Sequence, residues 1–279
     1  MIGQFRLWLA VTTLFSVPGT LMAQEYDWHP ALSDTFTASL GAMRSSNSFT
    51  VRANIPGDPG DEIDFPDTLG LGKHSTFFNG QLRWKFGKTK RWSLSGQYFS
   101  NSAKGSAELK EDLEWDGDTF LAGSYAEAGI KLAVSRLFLG YSFVKNDQND
   151  FGAGIGLHNL DLKVYIEGEI TSGSGGTVTR RDEVSADQIL PNIGAWYNFA
   201  PSKRWLLHGR IDWISANVGD YDGTLWNATA GVNFQAWRHV GFDLSWQYFS
   251  LNVNVDKTDW NGGADMTYSG PVVSATFGW

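Results

Sequence analysis

The chain of 279 residues contains no cysteine. Disulfides and thiolate metal sites are therefore excluded, and the redox compartment leaves no mark on the sequence. Charged residues are sparse at 19%, and the net charge is −8 at neutral pH. A nucleic-acid partner is not expected, because such a protein carries a basic face. Beyond the first residues no stretch approaches twenty consecutive apolar residues, so a membrane-spanning helix is not expected either. The mean hydropathy of −0.25 excludes a bundle of such helices. What the chain has in quantity is aromatic residues, at 14% with 13 Trp, and 32 Gly. Trp and Tyr collect where apolar and wet zones meet. Gly suits tight turns and close strand contacts.

The sequence opens MIGQFRLWLAVTTLFSVPGTLMAQEY. Arg6 supplies a positive start, residues 7–17 an apolar core too short for a stop-transfer helix, and Leu21 with Ala23 a cleavage site. The expected organisation is a signal peptide over residues 1–23 and one mature domain over 24–279. The mature chain is expected to be exported without a helical anchor.

From there the dominant period is two. Trp226, Ala228, Ala230, Val232 and Phe234 alternate with Asn227, Thr229, Gly231, Asn233 and Gln235. Val240, Phe242, Leu244, Trp246 and Tyr248 alternate with Gly241, Asp243, Ser245 and Gln247. The same pattern runs through Phe78–Phe86, Leu207–Trp213 and Phe36–Ala42. A soluble sandwich would alternate too. Three details favour lipid outside instead. Trp84, Trp92, Trp205, Trp213, Trp226, Trp246 and Tyr248 lie on the apolar face near segment ends, as in interfacial girdles. The polar face is rich in Asn, Gln, Gly and Arg and poor in Lys and Glu. Short turns at residues 87–91, 145–150, 200–204 and 237–238 alternate with long polar stretches at 54–75, 106–124, 171–184, 219–224 and 256–264. The strands are expected at 35–53, 75–87, 91–105, 124–144, 151–170, 184–199, 204–219, 225–236, 239–255 and 265–279. Eight or twelve strands are the alternatives, since residues 61–65 or 109–115 could extend strands or add a hairpin. No helix is expected.

The last strand ends VVSATFGW, with Val273, Ala275, Phe277 and Trp279 on one face. This terminus resembles the signature by which outer-membrane barrels are read by the barrel assembly machinery, with Trp where the family usually has Phe. The whole mature chain resembles small monomeric Gram-negative outer-membrane β-barrel proteins. The resemblance implies an all-β, antiparallel, up-and-down transmembrane barrel of about ten strands. Its partners would be outer-membrane lipid, lipopolysaccharide and the assembly machinery.

A barrel of this size leaves little interior, since eight strands are just filled by side chains. Arg83, Lys85, Arg136, His208, Arg210, Asp212, Asp243, Asn79, Gln81, Asn227, Asn233 and Gln247 have inward parity. Unpaired charges there are costly, so Arg83, Arg136 and Arg210 are expected to pair with Asp212 and Asp243 in a polar plug. A narrow conduit for a small polar or amphiphilic solute is the alternative. Enzymes of the resembled group use His with Asp or Ser near the outer rim. His74 beside Ser75, and His158, are the only weak catalytic candidates, and none shows an oriented partner in the sequence. A lipid-modifying enzyme or surface protease is thus a third reading. No cofactor and no metal are expected. The acidic stretches 58–67 and 108–118 read as solvated loops. Finally, the hairpin at residues 145–150 is expected to place Phe143 opposite Phe151, and hence Lys131 opposite Lys163 on the lipid-facing side. Like charges opposed across a sheet need an anion between them. A lipid phosphate is the expected occupant, with Arg44 in a similar outward position on the first strand.

Overall fold

A computed structural model describes residues 28–54, 62–115, 118–171, 176–218, 221–256 and 261–279. The expected leader at 1–23 lies outside the described residues. In chain order the elements are α1 (Pro30–Ser33), β1 (Phe36–Asn54), β2 (Ile63–Asp64), α2 (Phe65–Thr68), β3 (His74–Phe86), β4 (Trp92–Glu108), β5 (Leu113–Trp115), β6 (Asp118–Phe120), β7 (Tyr125–Lys145), β8 (Asn149–Thr171), β9 (Thr177–Phe199), β10 (Trp205–Val218), β11 (Tyr221–Gln235), β12 (Val240–Asp256) and β13 (Asn261–Gly278). The ten long strands pair antiparallel with their neighbours, and β1 pairs with β13 from Thr37↔Gly278 to Asn54↔Asn261. That last pairing closes the sheet into a barrel with no open edge at its base. The short β2 adds to β1, and the β5–β6 hairpin leans on β8 through Phe120↔Ile170. Both sit in the regions where the sequence left extensions or an extra hairpin open. Two four-residue helices, α1 and α2, were not expected. Each is set by a local cap and an early proline: His29 Nδ1 accepts from Ala31 N–H, and Asp64 Oδ1 accepts from Asp67 N–H.

The expected register across β7 and β8 holds from Glu127↔Glu167 to Ser142↔Gly152. It shifts at the turn, where Val144 rather than Phe143 faces Phe151. Phe143 is the extra residue of a β-bulge, and bulges concentrate at barrel rims because they increase local twist.

Around the end that carries the short turns and both termini, apolar side chains face outward. Leu137, Leu139, Ile155, Leu157, Ile193, Ile211, Leu244 and Val273 are all exposed, as are the seven Trp and Tyr of the expected girdles. Along β10 this belt runs from Trp205 to Trp213. Eight steps of about 3.3 Å, tilted by about 40°, make it about 20 Å tall, close to the apolar band of a membrane barrel. Inside this half the side chains are mostly polar, as expected, with Phe138 and Trp196 packed among them.

The far half reverses both faces, which corrects the expectation of a polar interior throughout. On β7, Ala126, Ala128, Ile130, Leu132 and Val134 point inward and are buried, while Glu127 and Lys131 point outward. On β8, Leu160, Leu162, Val164 and Ile166 are inside, with Lys163 and Glu169 exposed. The alternation never slips; only the chemistry changes sides, between Val134 and Leu137 on β7. Where lipid surrounds the wall, the outer face must be apolar. Where water surrounds it, the wall needs an ordinary hydrophobic core. That core is capped by the long connections themselves. Phe65, Leu69, Leu71, Leu109, Leu113, Trp115 and Phe120 are all buried, and Phe65 meets Trp115 edge-on at 5.9 Å. Below them Phe77, Phe99, Phe249 and Tyr268 form one aromatic stack with ring centroids 5.6–6.0 Å apart.

Candidate functional site

Four layers follow one another along the barrel axis. The lowest is the α1 segment, which lies across the mouth at the terminal end. Leu32 is fully buried against Ala200 and Leu206. Lys85 Nζ donates to the carbonyls of Ala31 (2.7 Å) and Leu32 (3.1 Å), and Lys90 Nζ to that of Ser33 (2.9 Å). These cations satisfy carbonyls that a four-residue helix leaves open at its C-terminus. His29, outside the strands, is almost completely buried, and burial lowers its pKa to about 4. Burial also raises the Asp34 carboxyl above its ordinary range.

Above this plug is a polar chamber of about 180 Å³ lined by Arg83, Lys85, Gln81, Asn233, Asp243 and their neighbours. It has room for several waters. Lys85 Nζ lies 3.6 Å from Asp150 Oδ2, and Asp150 Oδ1 accepts from Ser142 Oγ (2.7 Å) and Trp196 Nε1 (3.2 Å). This network joins β3, β7, β8 and β9. The sequence alone placed Asp150 in a turn, and the even-numbered parity it shares with inward His158 on β8 was the available signal for an inward role.

The third layer is the charge cluster that ends the chamber. Arg136 Nη1 donates to Asp212 Oδ2 at 2.7 Å, with both side chains buried. Arg210 donates to both oxygens of the same carboxylate, at 2.8 and 2.7 Å, and Asn192 Nδ2 adds a contact at 3.3 Å. The Arg210 guanidinium lies 4.1 Å over the Phe138 ring. Small residues on the inner wall make the room: a Cβ at Gly194 would collide with Asp212 Oδ1. The expected pairing of Arg136 and Arg210 with Asp212 is thus present, but that with Asp243 is not. Asp243 is taken by His208 Nε2 at 2.6 Å, from the neighbouring strand but one. Arg83 makes no ion pair among the described residues, and its Nε is buried without a partner. It faces the chamber, where water can solvate the rest of its guanidinium. The fourth layer is the apolar core.

The catalytic candidates are not brought together. His74 is exposed on the outer face, with Ser46 Oγ at 3.4 Å as its one side-chain partner among the described residues. Its neighbour Ser75 points inward and shares hydrogen bonds with Asn47 and Asn101. Adjacent strand residues face opposite sides, so His74 cannot serve Ser75 as a base. His158 is fully buried beside Arg136 and the Asn192 amide, and among the described residues neither ring nitrogen makes a hydrogen bond of good geometry.

On the outer surface Lys131 and Lys163 face each other across β7 and β8, both exposed. One rung toward the belt, Asp161 and Asp187 are opposed in the same way on β8 and β9. Arg44 is also exposed, but β3 and β4 separate its strand from β7.

No protein-family model and no curated protein matches the sequence. Among solved structures, the outer membrane protease OmpT from Escherichia coli superposes with a TM-score of 0.59 at 10% identity, covering 92% of this chain and 99% of that one. The fold is that of an outer-membrane β-barrel. In barrels of this kind the short turns are periplasmic and the longer loops extracellular. The Pseudomonas putida toluene transporter TodX is matched at a TM-score of 0.37 with 8% identity over 88% of this chain and 90% of that one. The attachment invasion locus protein Ail of Yersinia pestis is matched at 0.27 with 13% identity over 85% and 97%. Those two likenesses are too distant to compare site by site. At 10% identity the OmpT likeness concerns the fold alone.

Proposed function

We propose that this outer-membrane barrel is a non-conducting, non-enzymatic envelope protein. It is exported by cleavage after Ala23, and its rigid extracellular half acts as a structural and surface-interaction element. The reversal of the interior carries this reading. The chamber ends at the Arg136–Asp212 layer, and above it the lumen is filled by side chains and capped by two connections. The α1 plug closes the other mouth. A filled lumen offers no continuous path for water or ions. The scattered His74, Ser75 and His158 give no base–nucleophile pair. Reconstitution in a planar bilayer tests the proposal: the protein is expected to add no channel steps, and discrete steps of defined conductance would overturn it in favour of a narrow solute channel.

The outer surface adds a lipid partner. Lys131 and Lys163 stand about 15 Å above Leu137 and Leu157, by six residues at about 3.3 Å tilted by about 40°. That is headgroup height. The reading is that lipopolysaccharide phosphate lies between the two ammonium groups, with Arg44 holding a second headgroup elsewhere on the wall.

A further inference from the structure

Among the described residues, Arg83 is the chamber arginine that no carboxylate takes up. Arg136 and Arg210 share Asp212. Asp150 lies beside Lys85 and accepts from Ser142 and Trp196. Asp243 is bound to His208. Arg83 Nε, by contrast, is buried without a partner. Its neighbours across the wall are neutral: it faces Thr37 on β1 and Ser95 on β4. One step further along these strands the chamber is lined by Ser39, Ser93 and Gln97, again without an acid. A charge enclosed away from bulk water is costly unless it is paired.

The mouth at the short-turn end is cationic as well. A cleft between α1 and the turns is lined by Lys88, Lys90, Arg91, Lys145 and Arg238, and none of the five makes an ion pair among the described residues. Lys90, Arg91 and Lys145 donate to main-chain carbonyls, which leaves their charges unneutralised. Asp34 is the one carboxylate in this lining, and it borders both the cleft and the chamber. Burial raises its carboxyl above the ordinary range, which favours the uncharged form. A cluster of one sign at an opening concentrates ions of the other sign there.

We propose that the chamber is a closed-ended site for a small inorganic oxyanion of the phosphate class, held by Arg83 and admitted beside Asp34 from the cationic mouth. A guanidinium presents paired N–H donors at the spacing of two oxyanion oxygens. The hydroxyls of Thr37 and Ser95 and the amides of Gln81 and Gln97 supply donors for the remaining oxygens. At about 180 Å³ the chamber has room for such an ion together with waters. Binding in a chamber closed at its upper end needs no path through the lumen, so the site is compatible with a barrel that does not conduct.

The test uses the full mature protein, folded in a non-ionic detergent in neutral, chloride-free buffer, with radiolabelled inorganic phosphate as the probe in equilibrium dialysis. Saturable binding of one phosphate per barrel is expected. Arg83→Gln is expected to weaken it by roughly tenfold or more, because a charge-assisted pair is lost. Arg83→Lys keeps the charge without the fork and is expected to fall between the two. Phosphate is also expected to raise the urea midpoint of the wild type, since a ligand of the folded state stabilises it, and to leave that of Arg83→Gln unchanged. Absence of saturable binding to the wild type would overturn the site. So would wild-type affinity in both Arg83 variants. Binding that survives Arg83→Gln but disappears in Lys88→Ala with Arg238→Ala would put the anion on the rim and reject the chamber.

Discussion

Arg136 and Asp212 are 2.7 Å apart, yet they come from β7 and β10, strands separated in the sheet by β8 and β9. Their contact crosses the inside of the barrel. It ties together strands three positions apart in the ten-strand wall, where the polar chamber gives way to the apolar core.

Breaking that pair is predicted to be expensive. Asp212→Ala leaves the Arg136 and Arg210 guanidiniums buried without a counter-charge, and uncompensated buried charges of this kind cost about 3–5 kcal/mol. The double variant Arg136→Met with Asp212→Leu removes the pair together and is expected to recover part of that loss. Urea unfolding in detergent, followed by the heat-modifiable gel shift, measures both. Equal stability of Asp212→Ala and wild type would show that the carboxylate is dispensable.

Gly194 is predicted to be sensitive for a steric reason. A methyl group there would meet Asp212 Oδ1, whereas one at Gly176 would meet nothing within 4 Å. Gly194→Ala is expected to destabilise by about 1–3 kcal/mol, and Gly176→Ala by no more than about 0.5 kcal/mol. The same unfolding assay compares them, and equal effects would refute the packing argument.

Acid is predicted to loosen the α1 plug. The buried His29 has a pKa of about 4 against 6.5 when exposed. The undocked segment therefore binds the proton more readily, and docking weakens as pH falls from about 6.5 to about 4, with no further loss below. Hydrogen exchange of residues 30–34, corrected for intrinsic rates, is expected to quicken over that window. His29→Gln is expected to remove this loss on acidification, leaving only the opposite trend imposed by the raised Asp34 carboxyl, whose docking weakens as pH rises. Unchanged wild-type protection between pH 7 and pH 4.5 would contradict it.

Lipid retention is predicted to depend on the outward lysines. Lys131→Ala with Lys163→Ala is expected to lower the lipopolysaccharide carried through purification by roughly tenfold, the ratio that about 1.4 kcal/mol represents. Barrel folding should be unaffected, because exposed charges add little to stability. Full retention in the double variant would discard the phosphate site.

Most of the membrane half was legible from residue order. Alternation is local, and the girdle Trp and Tyr and the loop asymmetry follow from a period of two plus turns. Lys131 does face Lys163, but only because the Phe143 bulge offsets the true turn pairing of Val144 with Phe151. The upper core was legible in principle as well. On β7 the apolar positions are odd at Leu137 and Leu139 but even from Ala126 to Val134, which is the mark of a wall that leaves lipid and enters water. Three features were not legible. Nothing local assigns Asp243 to His208 rather than to an arginine, because that choice depends on which side chains meet across the lumen. Nothing local says that α1 folds under the barrel to meet Lys85. Nothing local says where the β9–β10 ladder stops.

The sequence by itself determined an antiparallel wall, the facing of its residues and the level at which its two faces exchange character. Each of these is set between near neighbours or by the solvent a side chain must meet. Only the tertiary structure decided what lies inside. Closing ten tilted strands brings distant residues to one axis, and space and charge balance there select the partners. The same closure leaves Arg83 lining the polar chamber, His158 buried beside Arg136 and the β9–β10 ladder ending at Trp213↔Ile193 among the described residues.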